Sequence, residues 1–334
     1  VASRRPRIYC LKQDYVLKYF GDFNFMRRSF PYTTSAIVLL MLGGAVAGAA
    51  QNMEFNKRGD EGMTAQYVKT GLFVISGRGS NSVVRLSANG LILVDGKLPG
   101  GYDALMAQVK RISKQPVRAL ILTDCAESRT GTNAKFVEDG DGTRIVAQEN
   151  VKQNLDSCNL ADDKLTPAIV TYGSEYQIRL GGVEAQLLHF GNAYSSSDTV
   201  VYFPNLKAVA VGDLFSPAPA PDFAAGGSLV GWGPVLAQVL KLDFDVVIPS
   251  TGPTVSRAEL EAFKTKIDTL VSRANGLVNK GVPKDQLMTQ LKTDDLGWQL
   301  KFTPDQVAHF YAELSRIEQP THEAQLGVQP AGKQ

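Results

Sequence analysis

Chemistry in this 334-residue chain has to come from a short supply of side chains, because it holds three histidines and three cysteines. A hydrolytic zinc centre draws most of its ligands from imidazole and keeps one position open for water. His189, His309 and His322 sit on a strand, in a helix and in the tail, and none has metal-ligand spacing to another. His189 reads as a packed or loop-bracing residue, and His309 as a surface or half-buried helix residue. Ser128 and the run Ser195–Ser197 lack the G-x-S-x-G elbow and a paired base that would make one of them a nucleophile. Cys125 precedes Ala-Glu-Ser-Arg129 and has two readings: a thiolate leaning on Arg129, or a small inert residue or partner for Cys158 in an oxidising compartment. The second is the stronger.

The elements that must position these residues are legible from hydrophobic pattern. Strands are predicted over 72–75, 83–86 and 91–94, the last two joined by a turn at Ala88-Asn89-Gly90, a strong hairpin signal. Leu105, Val109 and Ile112 share one face of a helix over 102–113. The apolar run 117–122 then ends at Thr123-Asp124, which gives a βαβ-like unit with Asp124 at a strand's carboxyl end, where ligand chemistry tends to sit. Further strands are predicted at 144–147, 176–180, 183–189, 199–203, 207–211 and 245–249. Residues 214–231 read as a Gly/Pro/Ala-rich surface loop carrying Phe223, with Trp232 beside it, followed by a helix from about Pro234 to Leu240. Helices follow over 257–277, 284–291 and 304–317, with Ser256 and Thr303 as N-caps.

Composition narrows the function. Hydrophobic residues make up 44% of the chain, enough for a packed core, and a net charge of +2 without a basic stripe argues against a nucleic-acid surface. Met26-Arg27-Arg28, the apolar run Ser35–Gly48 and the small residues Ala45, Ala47 and Ala49 have the three parts of a secretory signal peptide, expected over 26–49. The apolar run is short for a membrane span, so an uncleaved anchor is the weaker reading. Residues 1–25 precede a good internal start at Met26 and are read as upstream of the true start; 319–334 are read as a disordered tail. The expected location is periplasmic or secreted.

Several segments, in order, resemble the metallo-β-lactamase fold superfamily. Gly90-Leu-Ile-Leu-Val-Asp95-Gly96 resembles its early strand ending in a structural Asp. Ala119 to Asn133 resembles the strand and loop bearing T-H-x-H-x-D-H-x-G-G-N. His189 to Asp198 is similar to the G-x-A-H-T-x-x-D segment, and 199–204 followed by Ala210-Val-Gly-Asp213 to the strand pair closed by a metal-bridging Asp. Val247-Ile-Pro-Ser-Thr251-Gly-Pro is similar to V-I-P-G-H-G-P. The resemblance implies an α/β fold, a four-layer αββα sandwich over residues 64–252, with a C-terminal helical extension over 253–318.

It also implies where a zinc site would be, and there the chain departs. Residue by residue the family's metal positions read Asp124, Ala126, Ser128, Arg129, Tyr194, Asp213 and Thr251. Only Asp213 keeps its type; Ala126 and Arg129 cannot ligate a cation, and Ser128 and Thr251 are weak neutral oxygens. The expectation is a dismantled site with no metal cofactor. Asp124 and Asp213, with Glu127 and Asp198 as further oxygens, are the donors left for a hard cation, which wants six or more. A sharper expectation sets the Arg129 guanidinium against Asp213 or Asp124 in place of the lost cation. The leading function is a non-catalytic pseudoenzyme binding a small molecule or a protein through the inherited cleft, with Asp124, Arg129, Tyr194, Asp213 and Trp232 as ligand contacts. The alternative is a hydrolase of ester, thioester or lactam bonds with a rebuilt or metal-independent site.

Overall fold

The computed structural model describes residues 62–139, 142–153, 158, 168–217 and 219–317. The leader expected at 26–49, the upstream residues 1–25 and the tail 319–334 lie outside them. The strands form two sheets. One holds β1 (Thr64–Lys69), β2 (Leu72–Ser76), β3 (Ser82–Ser87), β4 (Gly90–Val94), β5 (Val117–Ile121), β6 (Arg144–Gln148) and β7 (Ile169–Tyr172), side by side in chain order. The other holds β8 (Glu175–Leu180), β9 (Val183–Leu188), β10 (Val200–Phe203), β11 (Ala208–Gly212), β12 (Val246–Pro249) and β13 (Val255–Ser256), again in order.

The first four strands run antiparallel; β4 to β7 are parallel, as are β11 and β12. Helix α1 (Tyr102–Ile112) is the crossover between β4 and β5, and α2 (Glu127–Thr130) and α3 (Asn133–Glu138) fill the next. In the β3–β4 hairpin Ser87 pairs with Gly90, so Ala88 and Asn89 make the two-residue turn that the sequence signalled. Continuous burial along β4 and β11 follows from their position between layers, where both faces are covered.

Three apolar clusters define the layers. Ile92, Val94, Ile121, Val201, Phe203 and Ile248 belong to the cluster shared by both sheets. Leu105, Val109 and Phe136 cover the outer face of the first sheet. On the second sheet, Val209 and Val247 pack with residues of α4 (Leu229–Val239), α5 (Arg257–Val278) and α7 (Pro304–Ile317), among them Trp232, Phe263, Ile267 and Phe310. A short α6 (Leu287–Gln290) precedes α7. The result is helix, sheet, sheet, helix. Ser256 caps α5 in a capping box with Glu259, which satisfies orphan amides at its start.

Among the elements that differ from the sequence reading are β1, β7 and α4. Strand β1 (Thr64–Lys69) precedes the first strand predicted from sequence, 72–75, and is held by antiparallel pairing with β2. Strand β7 is an edge too short to stand out in the sequence. Helix α4 starts at Leu229, not Pro234: Ser228 accepts the Gly231 N–H at 2.8 Å, and burial of Leu229, Trp232, Val235 and Leu236 overrides two glycines and a proline. Gly231 is there for clearance, since a Cβ would stand 2.3 Å from the Asn192 carbonyl.

Candidate functional site

The parallel strands of both sheets point their carboxyl ends toward one edge of the sandwich. Asp95 follows β4, Asp124 lies three residues beyond β5, and Asp213 follows β11. These three carboxylates converge on Arg129, carried by the single turn of α2 and 1% exposed. Its Nη1 donates to Asp124 Oδ1 at 2.7 Å, its Nη2 pairs with Asp213 Oδ2, and its Nε lies 3.6 Å from Asp95 Oδ2. The guanidinium thus reaches both carboxylates named for it in the sequence, and a third.

Each carboxylate is held from behind. Asp124 also accepts the Ala126 N–H at 2.7 Å. Asp95 accepts the Thr123 N–H at 2.8 Å and its hydroxyl at 2.7 Å, with its own backbone at φ 61°, a conformation L-residues rarely adopt. Asp213 accepts the Ser250 hydroxyl. Gly212 adopts φ +54° so that Asp213 can turn in beside Thr123, which a Cβ at Gly212 would meet at 2.8 Å. Behind Asp95, the buried Lys97 ammonium donates to the Ile75 carbonyl at 2.8 Å and to the Ser80 carbonyl.

Electrostatics follow from burial. Loss of solvent raises Asp124 well above the usual carboxylate range, with Arg129 pulling the other way, and raises Asp95 to about 6. Burial alone would lower Arg129, but its carboxylate neighbours hold it above its ordinary value. Burial also lifts Asp198 to about 7 and lowers Lys97 to about 7.

A pH dependence follows. Asp95 and Asp198 bind their protons more tightly folded than unfolded, so their contribution is full below about pH 4 and is lost as pH rises through about 6 and 7. Lys97 binds its proton less tightly when folded, and its penalty grows as pH falls from about 10 to about 7 and is constant below that. The melting temperature is therefore expected to be higher near about pH 5.5 than near about pH 7, with Asp198→Asn flattening the difference. A profile that falls on going from neutral to acid would refute this assignment.

Beside the ion cluster lies a cleft of about 250 Å³, lined by Cys125, Ala126, Asn150, Tyr194, Ser196 and Asp222 among others. The loop 193–198 forms one wall, braced by Asp198, whose carboxylate accepts from the Ala193 and Ser195 amides and the Ser195 hydroxyl. His189 Nδ1 lies 2.8 Å from the Asp198 carbonyl and braces the same loop. The Gly-rich loop closes the other side, with the Asp222 amide donating to the Tyr194 carbonyl and the Ser196 amide to the Ala225 carbonyl. Tyr194 joins cleft to cluster, its ring 5.9 Å from the Arg129 guanidinium carbon. A disulfide between Cys125 and Cys158 anchors the base, so Cys125 is no thiolate.

The other named positions fall elsewhere. Ser128 bonds the Ser80 hydroxyl at 2.7 Å, Glu127 is exposed, and Asp198 serves its own loop. Thr251 is exposed; its neighbour Ser250 is the one that reaches Asp213. Trp232 requires correction as a ligand contact: it is fully buried inside α4, and its Nε1 donates to the Leu214 carbonyl at 3.0 Å. Large aromatics in a glycine-rich stretch look exposed in sequence, but here the stretch is already helical. His309 is exposed and stacks on Phe223 at 5.7 Å. Asn150, Asp222 and Ser250 carried no sequence signal, and Asp95 read only as a structural residue.

Solved structures share this architecture. A metallo-β-lactamase from Pontibacter korlensis superimposes with a TM-score of 0.55 at 17% identity, covering 62% of this chain and 99% of its own. The fold is that of the metallo-β-lactamases. The inverting sec-alkylsulfatase Pisa1 from Pseudomonas sp. gives a TM-score of 0.60 at 17% identity over 80% of this chain and 52% of its own. In sequence, the chain is 27% identical over 173 residues to the alpha subunit of a 2,4-dinitroanisole O-demethylase from Nocardioides sp., covering 52% of each. It thus spans about half the length of that curated relative. No family model matches the chain.

The metallo-β-lactamase fold implies a zinc centre, and the residues present do not fit one. Among the described residues no imidazole reaches the cluster, and a permanently charged guanidinium, nearly free of solvent, stands between the carboxylates a metal would need. Among the described residues no group of three His, Cys, Asp or Glu side chains is arranged to hold a metal ion.

Proposed function

We propose that this metallo-β-lactamase-fold chain is a non-catalytic binding protein that takes a small polar molecule into the cleft beside Tyr194. The observation that carries this reading is the guanidinium of Arg129 among Asp95, Asp124 and Asp213. Hydrolysis in this architecture needs an activated water, and a bound metal supplies it by lowering the water's pKa toward neutrality. A guanidinium supplies charge but no open coordination site. The cleft remains, with hydroxyl and amide groups and a single carboxylate, Asp222, on its lining. That lining suits a neutral or cationic ligand of modest size.

A screen with β-lactams, thioesters, sulfate esters and aryl methyl ethers is expected to show no turnover above that of Asp213→Asn. Turnover that vanishes in Asp213→Asn would restore the hydrolase reading. That alternative draws support from the O-demethylase subunit, which makes activity in company with a second subunit the form to test. For binding, a melting-temperature screen of small sugars, polyols and amines is expected to give shifts that disappear in Ala225→Leu, which fills the cleft. We also propose export: the Cys125–Cys158 bond suits an oxidising compartment, in keeping with the leader-like segment at 26–49.

A further inference from the structure

We propose that Cys125 is a site of reversible S-thiolation: a small aminothiol enters the cleft, exchanges with the Cys125–Cys158 disulfide and stays bonded to Cys125. The inference rests on the cleft being open to small polar molecules, as in the binding reading above, and adds to it a covalent step and a charge preference.

Three observations carry it. The two sulfurs differ in access: Cys125 lines the cleft, whereas Cys158 is 0% exposed and packs with Val151 in the apolar core on the outer face of the first sheet. A nucleophile arriving through the cleft therefore meets Cys125 Sγ, and Cys158 is the leaving sulfur. The cleft volume, about 250 Å³, is below the roughly 300–1,000 Å³ of pockets for drug-sized ligands, which fits a thiol of a few heavy atoms. Lastly, Asp222 is the charged side chain on the lining; it is exposed, and its Oδ1 accepts the Ala225 amide at 3.1 Å. An ammonium group on the entering thiol is attracted to that carboxylate, and a carboxylate on the thiol is repelled. Beside the sulfur, the Ser197 hydroxyl lies 3.9 Å from Cys125 Sγ.

The exchange balances without a further oxidant or reductant. The aminothiol gives its proton to water, and the thiolate sulfur attacks Cys125 Sγ. The Cys125–Cys158 bond breaks and its electron pair leaves on Cys158 Sγ, which takes up a proton from solvent and has the Val151 carbonyl 3.8 Å away to receive it. The small thiol is oxidised to the mixed disulfide and Cys158 is reduced. Return attack by Cys158 on Cys125 Sγ expels the aminothiol and restores the native bond, so the modification is reversible.

The test incubates the wild type and Asp222→Asn with cysteamine, β-mercaptoethanol or thioglycolate at equal thiolate concentration. Samples are unfolded into excess N-ethylmaleimide and digested with trypsin, which puts the two cysteines on separate peptides, 119–129 and 153–164. Each rate is divided by that thiol's rate with the free disulfide of β-mercaptoethanol. The adduct is expected on 119–129, with N-ethylmaleimide on 153–164. It should form about three- to tenfold faster with cysteamine than with thioglycolate, β-mercaptoethanol falling between, and Asp222→Asn should bring the three within about twofold. Adduct on 153–164 in equal or greater share, the absence of any adduct, or an order unchanged in Asp222→Asn overturns the proposal. The binding reading is judged separately: a ligand without a thiol that shifts the melting temperature of the wild type leaves it standing whatever adducts form.

Discussion

Arg129→Ala is expected to cost roughly 3–5 kcal/mol of folding stability, because truncating one member of a buried ion cluster leaves the others charged, desolvated and unpaired. For a domain of this size that lowers the melting temperature by roughly 10 °C. The size comes from geometry: Arg129 and Asp124 are 1% and 2% exposed, and Nη1 to Oδ1 is 2.7 Å. Arg129→Lys is expected to recover only part of the loss, since one ammonium cannot reach Asp124 and Asp213 from opposite edges as two guanidinium nitrogens do. A double-mutant cycle between Arg129→Ala and Asp124→Ala is expected to show strong coupling, with the double variant less damaged than the two single losses added. A chelator added to the wild type is expected to leave its melting curve unchanged. If Arg129→Ala melts within a degree or two of the wild type, the guanidinium is not the cation that holds this site together.

The cluster was readable in sequence for a specific reason. Asp124 follows the apolar stretch Ala119–Leu122 by one threonine and Asp213 follows Ala208–Gly212, so strand ends could be assigned without a structure, and an arginine five residues after Asp124 had few other places to put its charge. Asp95 follows such a run too, yet its part in the cluster depends on a left-handed backbone and on Thr123, which no local pattern encodes. The cleft was least legible. Its walls are the loop 193–198 and the Gly-rich loop, brought together by backbone bonds such as Ser196 to Ala225, and backbone bonds between distant loops leave no trace in residue type. Trp232 failed for the opposite reason: a helix spanning Gly231, Gly233 and Pro234 contradicts local propensity and is sustained by burial against the second sheet. Local rules thus found the elements with strong periodicity and the charges at their ends, while tertiary contact decided everything between.

The second large effect is expected from the disulfide. Cys125→Ser with Cys158→Ser should lower stability by about 4 kcal/mol, the chain-entropy value for a bond closing a loop of 33 residues. The consequence should be local as well as global. Cys125 follows Asp124 directly and lines the cleft, while Cys158 is fully buried against Val151 in the core beneath it. The bond therefore ties the loop that presents Asp124 and Arg129 to the layer behind β6. Without it, proteolysis or hydrogen exchange should increase first over 123–130, before the sheets open. Reducing agent should reproduce both effects in the wild type and neither in the double serine variant. Because the second cysteine is buried and the first opens only onto a 250 Å³ cleft, small thiols should reduce the bond faster than a protein dithiol of equal potential. A stability unchanged by reduction would mean that the two sulfurs are not bonded in the folded protein, and with that the argument from the disulfide to an oxidising compartment would also fall.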